Sequence, residues 1–317
     1  MMEHGRDLFM KCLKGEPLPR FAFIPLIGDV VARAGGMSYR DMCADPTLWA
    51  NSLMKTADLF DLDGVVAGFD FSLMAEACGC AVCWEDDEPR IDGMPGAVSG
   101  APESAGRMKH VIEATARLFQ VCRPRRAAIA AMTGPVTLAA QLFGRGESVS
   151  RLGEVKQLVT RVAEAFCRLN PDLLIFMEDE ALTRTEPGNA HIRAYNTLKN
   201  VTTYYNVTSA LYLQDYQPAD LPLFSALKMN IYIPGHSADA SLPYRSQLEA
   251  LNANARALAC SLPLDDTGRA REVMEESVAF CRTQGKTGFF TSLGPVRRDA
   301  HLETIHRVVK EIQEMRL

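Results

Sequence analysis

Short apolar runs of strand length recur along the chain. Most are followed by a segment whose apolar residues return every three or four positions, the signature of βα units. The runs are Phe21 to Ile27, Gly64 to Gly68, Ala127 to Met132, Asp172 to Met177, Ala210 to Gln214, Met229 to Ile233, Arg256 to Cys260 and Gly288 to Thr291. Between them a helical period predicts Pro46 to Phe60, Glu103 to Val121, Ser150 to Leu169, Asn189 to Tyr204, Arg269 to Thr283 and Asp299 to Met315. The first of these opens on Asp45 as cap with Pro46 in the first turn, where a missing N–H costs nothing. Eight strands alternating with helices predict an α/β fold, one (β/α)8 barrel over residues 1–317, rather than two doubly wound halves. No linker rich in Pro, Gly or Ser divides the chain. The longest departure from alternation is Cys80 to Ser104, where Trp84-Glu85-Asp86-Asp87-Glu88-Pro89 predicts a hairpin on the connection after strand two.

Composition narrows the function classes. Of 317 residues 47% are apolar and 23% charged, with a net charge of −5, which excludes disordered and fibrous chains. Phosphate binding needs clustered Lys and Arg, and the one basic run is the short Arg123-Pro124-Arg125-Arg126, so nucleic acid is not an expected partner. No segment has the uninterrupted apolar length of a membrane helix, and the first residues lack a signal peptide's apolar stretch. The expectation is a cytoplasmic protein that does not meet a membrane. Nine cysteines lie mostly in apolar periodic segments, which fits reduced, buried thiols. The exception in spacing is Cys78-Gly79-Cys80-Ala81-Val82-Cys83, a possible thiolate metal site. No second Cys or His pair stands near it, so core cysteines are the expected reading.

In such a barrel reactive groups sit at the C-terminal ends of the strands. Those positions carry Asp29, Asp70, Thr133 with Gly134, Glu178 with Asp179 and Glu180, Gln214 with Asp215, His236, Asp265 with Asp266, and Ser292 with Arg297. Acids dominate. Each could cap the helix that follows its strand, or the set could hold a cation, bind a positively charged substrate or supply acids and bases. Asp70 leaves strand two and either caps the next helix or faces the mouth. Asp215 and His236 close successive strands, with Glu178 at the end of the strand before, so the three could share a divalent cation such as zinc or form an acid/base set. Thr133-Gly134-Pro135 starts a helix whose free N–H groups either are simply capped or face an anionic ligand.

Four stretches resemble the uroporphyrinogen decarboxylase superfamily, which includes corrinoid-dependent methyltransferases. They are Asp45-Pro46, Asp70 through Glu76-Ala77-Cys78-Gly79, Gly134-Pro135-Val136-Thr137-Leu138-Ala139, and Ser292-Leu293-Gly294-Pro295. The resemblance runs over nearly the whole chain and implies the same (β/α)8 barrel. For the decarboxylases it implies an arginine-rich stretch after strand one, an aspartate at Asp70, a tyrosine after the Gly-Pro-x-Thr-Leu-Ala segment and a histidine after the C-terminal Leu-Gly. Asp70 matches. The first segment keeps only Arg33 beside Asp29, Gln141 stands where the tyrosine would, and Pro295 stands where the histidine would. For the zinc methyltransferases it implies a His-x-Cys, here Tyr212-Leu213-Gln214, and a late Cys, absent after Cys281.

The reading is therefore a methyltransferase that moves a methyl group between a small O-, N- or S-methyl compound and a corrinoid carried by a separate protein. Asp70, Asp215 and His236 are the catalytic candidates. Asp29, Arg33, Thr133, Gln141, Tyr212 and Gln214 are the candidate substrate contacts, and Glu178, Asp215 and His236 the candidate ligands of a divalent metal. A homodimer is compatible with this reading, and the sequence leaves the oligomeric state open. A carboxy-lyase acting on a less anionic substrate and a non-catalytic binding barrel are the alternatives.

Overall fold

The computed structural model describes residues 4–243, 245–255 and 257–317. Nine strands form. They are β1 (Gly64–Ala67), β2 (Val82–Glu85), β3 (Glu88–Ile91), β4 (Ala127–Thr133), β5 (Leu173–Glu178), β6 (Thr208–Leu213), β7 (Ile231–Pro234), β8 (Leu258–Leu262) and β9 (Gly288–Ser292). Strands β1, β4, β5, β6 and β7 pair in that order as a parallel sheet, and β8 pairs in parallel with β9. Each of the parallel strands begins within two residues of an apolar run seen in the sequence. For the run opening on Arg256, that residue lies outside the described ones.

The first apolar run, Phe21 to Ile27, does not form a ladder but fills a strand position. Its backbone bonds to β9 through Ile24 N–H to the Phe290 carbonyl and Phe290 N–H to the Ala22 carbonyl, and the Asp63 N–H reaches the Phe23 carbonyl ahead of β1. Pro25 in its middle has no N–H to give a ladder. With this segment the parallel strands make the eight staves of a TIM-barrel-like α/β fold. Among the described residues no ladder joins β7 to β8, and a cavity of about 410 Å3 opens on that flank between the helices Arg245–Leu251 and Thr267–Gln284.

Strand alternation sorts the side chains into two cores. Val66, Ile129, Ala131, Ile175, Met177, Ala210 and Ile233 fill the barrel's interior, while Val65, Ala128, Ala130, Leu174, Phe176 and Leu211 face the surrounding helices. The small alanines inside leave room for the larger residues of neighbouring strands, as a filled barrel requires. An N-terminal helix, Gly5–Lys14, that the sequence pattern did not single out presses Leu8, Phe9 and Cys12 into the interior. The Phe9 ring meets Phe289 edge-on at 5.1 Å, and Arg6 pairs with Asp172 at 2.9 Å.

The expected excursion is the antiparallel hairpin β2–β3, with Asp86 and Asp87 at positive φ in its two-residue turn. Its tip is fastened at two places. Asp87 accepts from the Tyr39 and Arg40 N–H groups at 2.5 and 3.1 Å and pairs with Arg298 at 2.8 Å, and Glu88 pairs with Arg297. The hairpin therefore lies across the C-terminal end of the barrel.

The junction of the first segment with β1 rests on a buried clamp. The Asp63 carboxylate accepts from Arg20 at 2.6 and 2.8 Å and from the Phe23 N–H at 2.8 Å. Removing one partner of such a pair strands the other, so Asp63→Ala is expected to lower unfolding stability by about 3 kcal/mol in urea titration. A change under about 1 kcal/mol would show that the clamp does not hold this junction.

Candidate functional site

The barrel's C-terminal mouth is a cavity of about 370 Å3. Phe69, Phe71 and Tyr39 give it aromatic walls, and the hairpin roofs it with Glu88 to Ile91. Asp29, Asp70, Gln141, Pro295 and Arg297 complete the polar side. Beneath lies Tyr212, fully buried, packed edge-on against Phe69 at 5.1 Å and within 6.5 Å of Phe71. Its hydroxyl meets Gln214 Oε1 at 3.3 Å and donates to the Leu293 carbonyl at 3.1 Å.

Asp70 lines this mouth, but both its oxygens are engaged. Oδ1 accepts from the Ser72 N–H at 2.7 Å and the Ser72 hydroxyl at 2.6 Å, and Oδ2 accepts from Arg107 at 2.7 Å. Arg107, itself nearly buried, also donates to Glu76 at 2.5 Å and to the Ser72 hydroxyl at 2.7 Å, and its guanidinium lies 5.1 Å from the centre of the Trp84 ring. Two acids, Asp70 nearly buried and Glu76 part-exposed, thus share one guanidinium. Sequence reading missed Arg107. It lies in a helix-period segment remote from every strand end, and the only signal was an arginine on the apolar face of Gly106–Cys122.

Glu178 is fully buried and is not open to a ligand. Its carboxylate accepts from the Val136 N–H at 3.1 Å, the Thr137 N–H at 2.7 Å, the Thr137 hydroxyl at 2.6 Å and the Tyr195 hydroxyl. It therefore supplies the anion at the N-terminus of the helix Pro135–Phe143 that a ligand had been considered for. Gly134 makes the approach possible, since a Cβ there would overlap the Glu178 carboxylate. Burial pushes the Glu178 carboxyl up from an ordinary 4.5 to about 7, with the hydrogen bonds from Thr137 and Tyr195 acting in the opposite direction.

Other expected residues also take different places. Thr133 is fully buried and donates to the Phe71 carbonyl, so it is not a substrate contact. Arg33 does not line the mouth and donates to the Arg298 and Ala300 carbonyls, fastening the loop after β9. Asp215 and His236 do meet, but through the backbone: the Asp215 N–H donates to the His236 carbonyl at 2.8 Å, with Asp215 at φ 57°. The Asp215 carboxylate accepts from Gln214 at 3.3 Å, and the exposed His236 ring lies against Gly294. Among the described residues no group of three or more His, Cys, Asp or Glu side chains converges as metal ligands would. Glu178, Asp215 and His236 are not gathered, and a divalent metal does not fit them. The nine thiols are unpaired, and all but Cys83 are buried.

Several rim acids prove to be caps. Asp179 accepts from the Ala181 N–H, and Asp266 from the Gly268 and Arg269 N–H groups. Asp29 and Gln141 stand apart from these. Asp29 lines the mouth, accepts from the Arg298 N–H at 2.9 Å and has no ion-pair partner among the described residues; burial raises its pKa. The Gln141 amide donates to the Phe71 carbonyl at 3.1 Å, while its Oε1 is buried with no hydrogen-bond partner.

The raised carboxyl of Glu178 has a definite sign in stability. The folded state holds its proton more tightly than the unfolded chain, so the contribution is fully present below pH 4.5 and is lost as pH rises through about 7. The unfolding free energy of the wild type relative to Glu178→Gln is expected to fall across that range by on the order of 3 kcal/mol. Urea titrations of both proteins between pH 4 and about 8 measure it, and a flat difference would refute the assignment.

One solved structure agrees with this architecture over the whole chain. A methyltransferase from Methanosarcina mazei superimposes with a TM-score of 0.80 at 18% identity, covering 99% of each chain. A 3-keto-D-glucoside 4-epimerase from E. coli aligns at a TM-score of 0.42 and 11% identity, over 64% of this chain and 86% of that one. A search of curated protein sequences returns no match. The family model for uroporphyrinogen decarboxylase (URO-D) matches residues 4–169, more than half of the 317 residues, and so includes the Asp70 turn, Arg107 and the Gly134-Pro135 helix start. The chain belongs to the uroporphyrinogen decarboxylase family.

Proposed function

We propose that this protein is a methyltransferase that binds a small methylated compound in the barrel mouth and passes the methyl group to a corrinoid carried by a partner protein. The observation that carries the reading is the charge state of the mouth. Its two lining arginines both pair with acids, Arg90 with Glu85 at 3.1 Å and Arg297 with Glu88 and Asp299, while Asp29 forms no ion pair among the described residues and feels Arg297 only at longer range. A substrate rich in carboxylates would have to displace those acids and sit beside Asp29 and Asp70, which electrostatics opposes. A small, uncharged or positively charged compound meets no such barrier. The match in fold to the M. mazei methyltransferase supports the same choice.

In this reading Phe69, Phe71 and the buried Tyr212 beneath them exclude water from the donor's apolar side. Gln141 and Asp29 accept hydrogen bonds or charge from its polar end. Asp70, tied to Ser72 and Arg107, shapes the turn that presents Phe71 and Gln141. Asp215 and His236, on neighbouring strand ends, are the groups available to move a proton at the rim.

Purified protein incubated with cob(I)alamin and a panel of methylated ammonium, sulfonium, ether and thioether donors is expected to form methylcobalamin from at least one donor, followed by absorbance. Gln141→Leu is expected to raise KM about tenfold with little change in kcat, since it removes binding common to ground and transition states. Failure of every donor would sink the methyltransferase reading. Metal-independent release of carbon dioxide from a carboxylated compound would replace it with the lyase reading that the family also contains.

A further inference from the structure

The charges around the mouth go beyond excluding polyanions. Three acids line the cavity, Asp29, Asp70 and Glu88, against two arginines, Arg90 and Arg297. The residues bonded to them do not redress the balance. Arg107 carries one positive charge against the two carboxylates of Asp70 and Glu76, so one negative charge remains behind the wall. Arg297 is shared between Glu88 and Asp299, and Arg90 is taken by Glu85. No lysine lines the cavity. Arg33 and Arg40 are bonded elsewhere, to carbonyls after β9 and over the Trp84 ring, and neither lines it.

The apolar part of the lining points the same way. Phe69, Phe71 and Tyr39 are rings whose π-systems attract a cation that has lost its water. An excess of negative charge beside aromatic walls recognises a small organic cation with an apolar surface. Asp29, half-buried and in no direct ion pair among the described residues, with Arg297 acting on it only at longer range, is the carboxylate open to such a ligand.

We infer that the mouth selects a small organic cation, a methylated ammonium or sulfonium compound, over its uncharged isostere. The inference rests on the mouth being the substrate site of the proposed methyltransferase and narrows the donor class. Such a donor also suits methyl transfer. As the carbon passes to the cob(I)amide nucleophile, which supplies the electron pair of the new bond, the broken bond's pair returns to nitrogen or sulfur. The leaving group departs as a neutral amine or sulfide, with no developing anion for a metal or an acid to stabilise.

The test compares binding of choline with that of 3,3-dimethylbutan-1-ol, which replaces the quaternary nitrogen by carbon at nearly constant shape, by titration calorimetry on the full chain. Choline is expected to bind at least tenfold more tightly, and Asp29→Asn to reduce that ratio about tenfold while thermal unfolding stays within a few degrees of wild type. Phe71→Leu, which removes the ring but keeps an apolar side chain, is expected to weaken choline and leave the alcohol nearly unchanged. Equal affinities, binding of neither compound, or a ratio unaffected by both substitutions would overturn the inference. Methyl transfer is a separate readout. Selective cation binding without transfer leaves this inference standing and removes the methyltransferase; transfer from neutral ethers with no preference for the cation does the reverse.

Discussion

A single guanidinium organises the C-terminal end of this barrel. Arg107 comes from a helix on the barrel's outside, yet it binds Asp70 at the turn after β1, Ser72 and Glu76 on the helix Ser72–Ala77, and stacks beneath Trp84 of the hairpin. Removing Arg107 would leave the nearly buried Asp70 carboxylate without its cation, which costs several kcal/mol and makes the guanidinium the member on which the set depends. The turn fixes Phe69 and Phe71, and the hairpin fixes the roof. The shape of the mouth therefore follows from one buried ion cluster rather than from the strands alone.

The acids of the rim divide by what they touch. A carboxylate after a parallel strand faces the N-terminus of the next helix, where free N–H groups and the helix dipole attract it. Glu178, Asp179, Asp266 and, through Ser72, Asp70 take that role. Glu178 is the extreme case, since it serves the helix after the preceding strand and is buried to do so. The excess of acid that remains for chemistry is consequently small and local. Asp29 carries it, in a cavity whose arginines are already bonded.

The resemblance seen in short stretches, Gly134-Pro135-Val136-Thr137-Leu138-Ala139 above all, has a structural meaning of its own. Gly134 admits the Glu178 carboxylate, Pro135 starts the helix without a lost N–H, and Thr137 binds Glu178 twice and Asp179 twice. The motif builds a junction between β4 and β5 and does not reach the mouth. Gln141, one turn further on, is where the same helix meets the cavity.

Period and spacing in the sequence determined the order of strands and helices, the hairpin after the second strand, the buried thiols and the family. These are local properties: alternation, helical period and capping residues act over a few positions and survive any choice of packing. Parts of the fold escaped them. The helix Gly5–Lys14 presents its apolar face to a barrel interior that no local pattern describes, the short helices Val30–Gly35 and Tyr39–Ala44 were not read, and Phe21 to Ile27, read as a strand, fills the strand position without a regular ladder. The site was harder still to read. Whether Glu178, Thr133 or Arg33 reaches a substrate depends on burial and on partners 17 to 267 residues away in the chain, such as Tyr195 for Glu178 and Ala300 for Arg33. Charge at a strand end is visible in one dimension. Whether that charge is already neutralised is decided only when Arg107, Arg297 and the helix N-termini are brought against it in three.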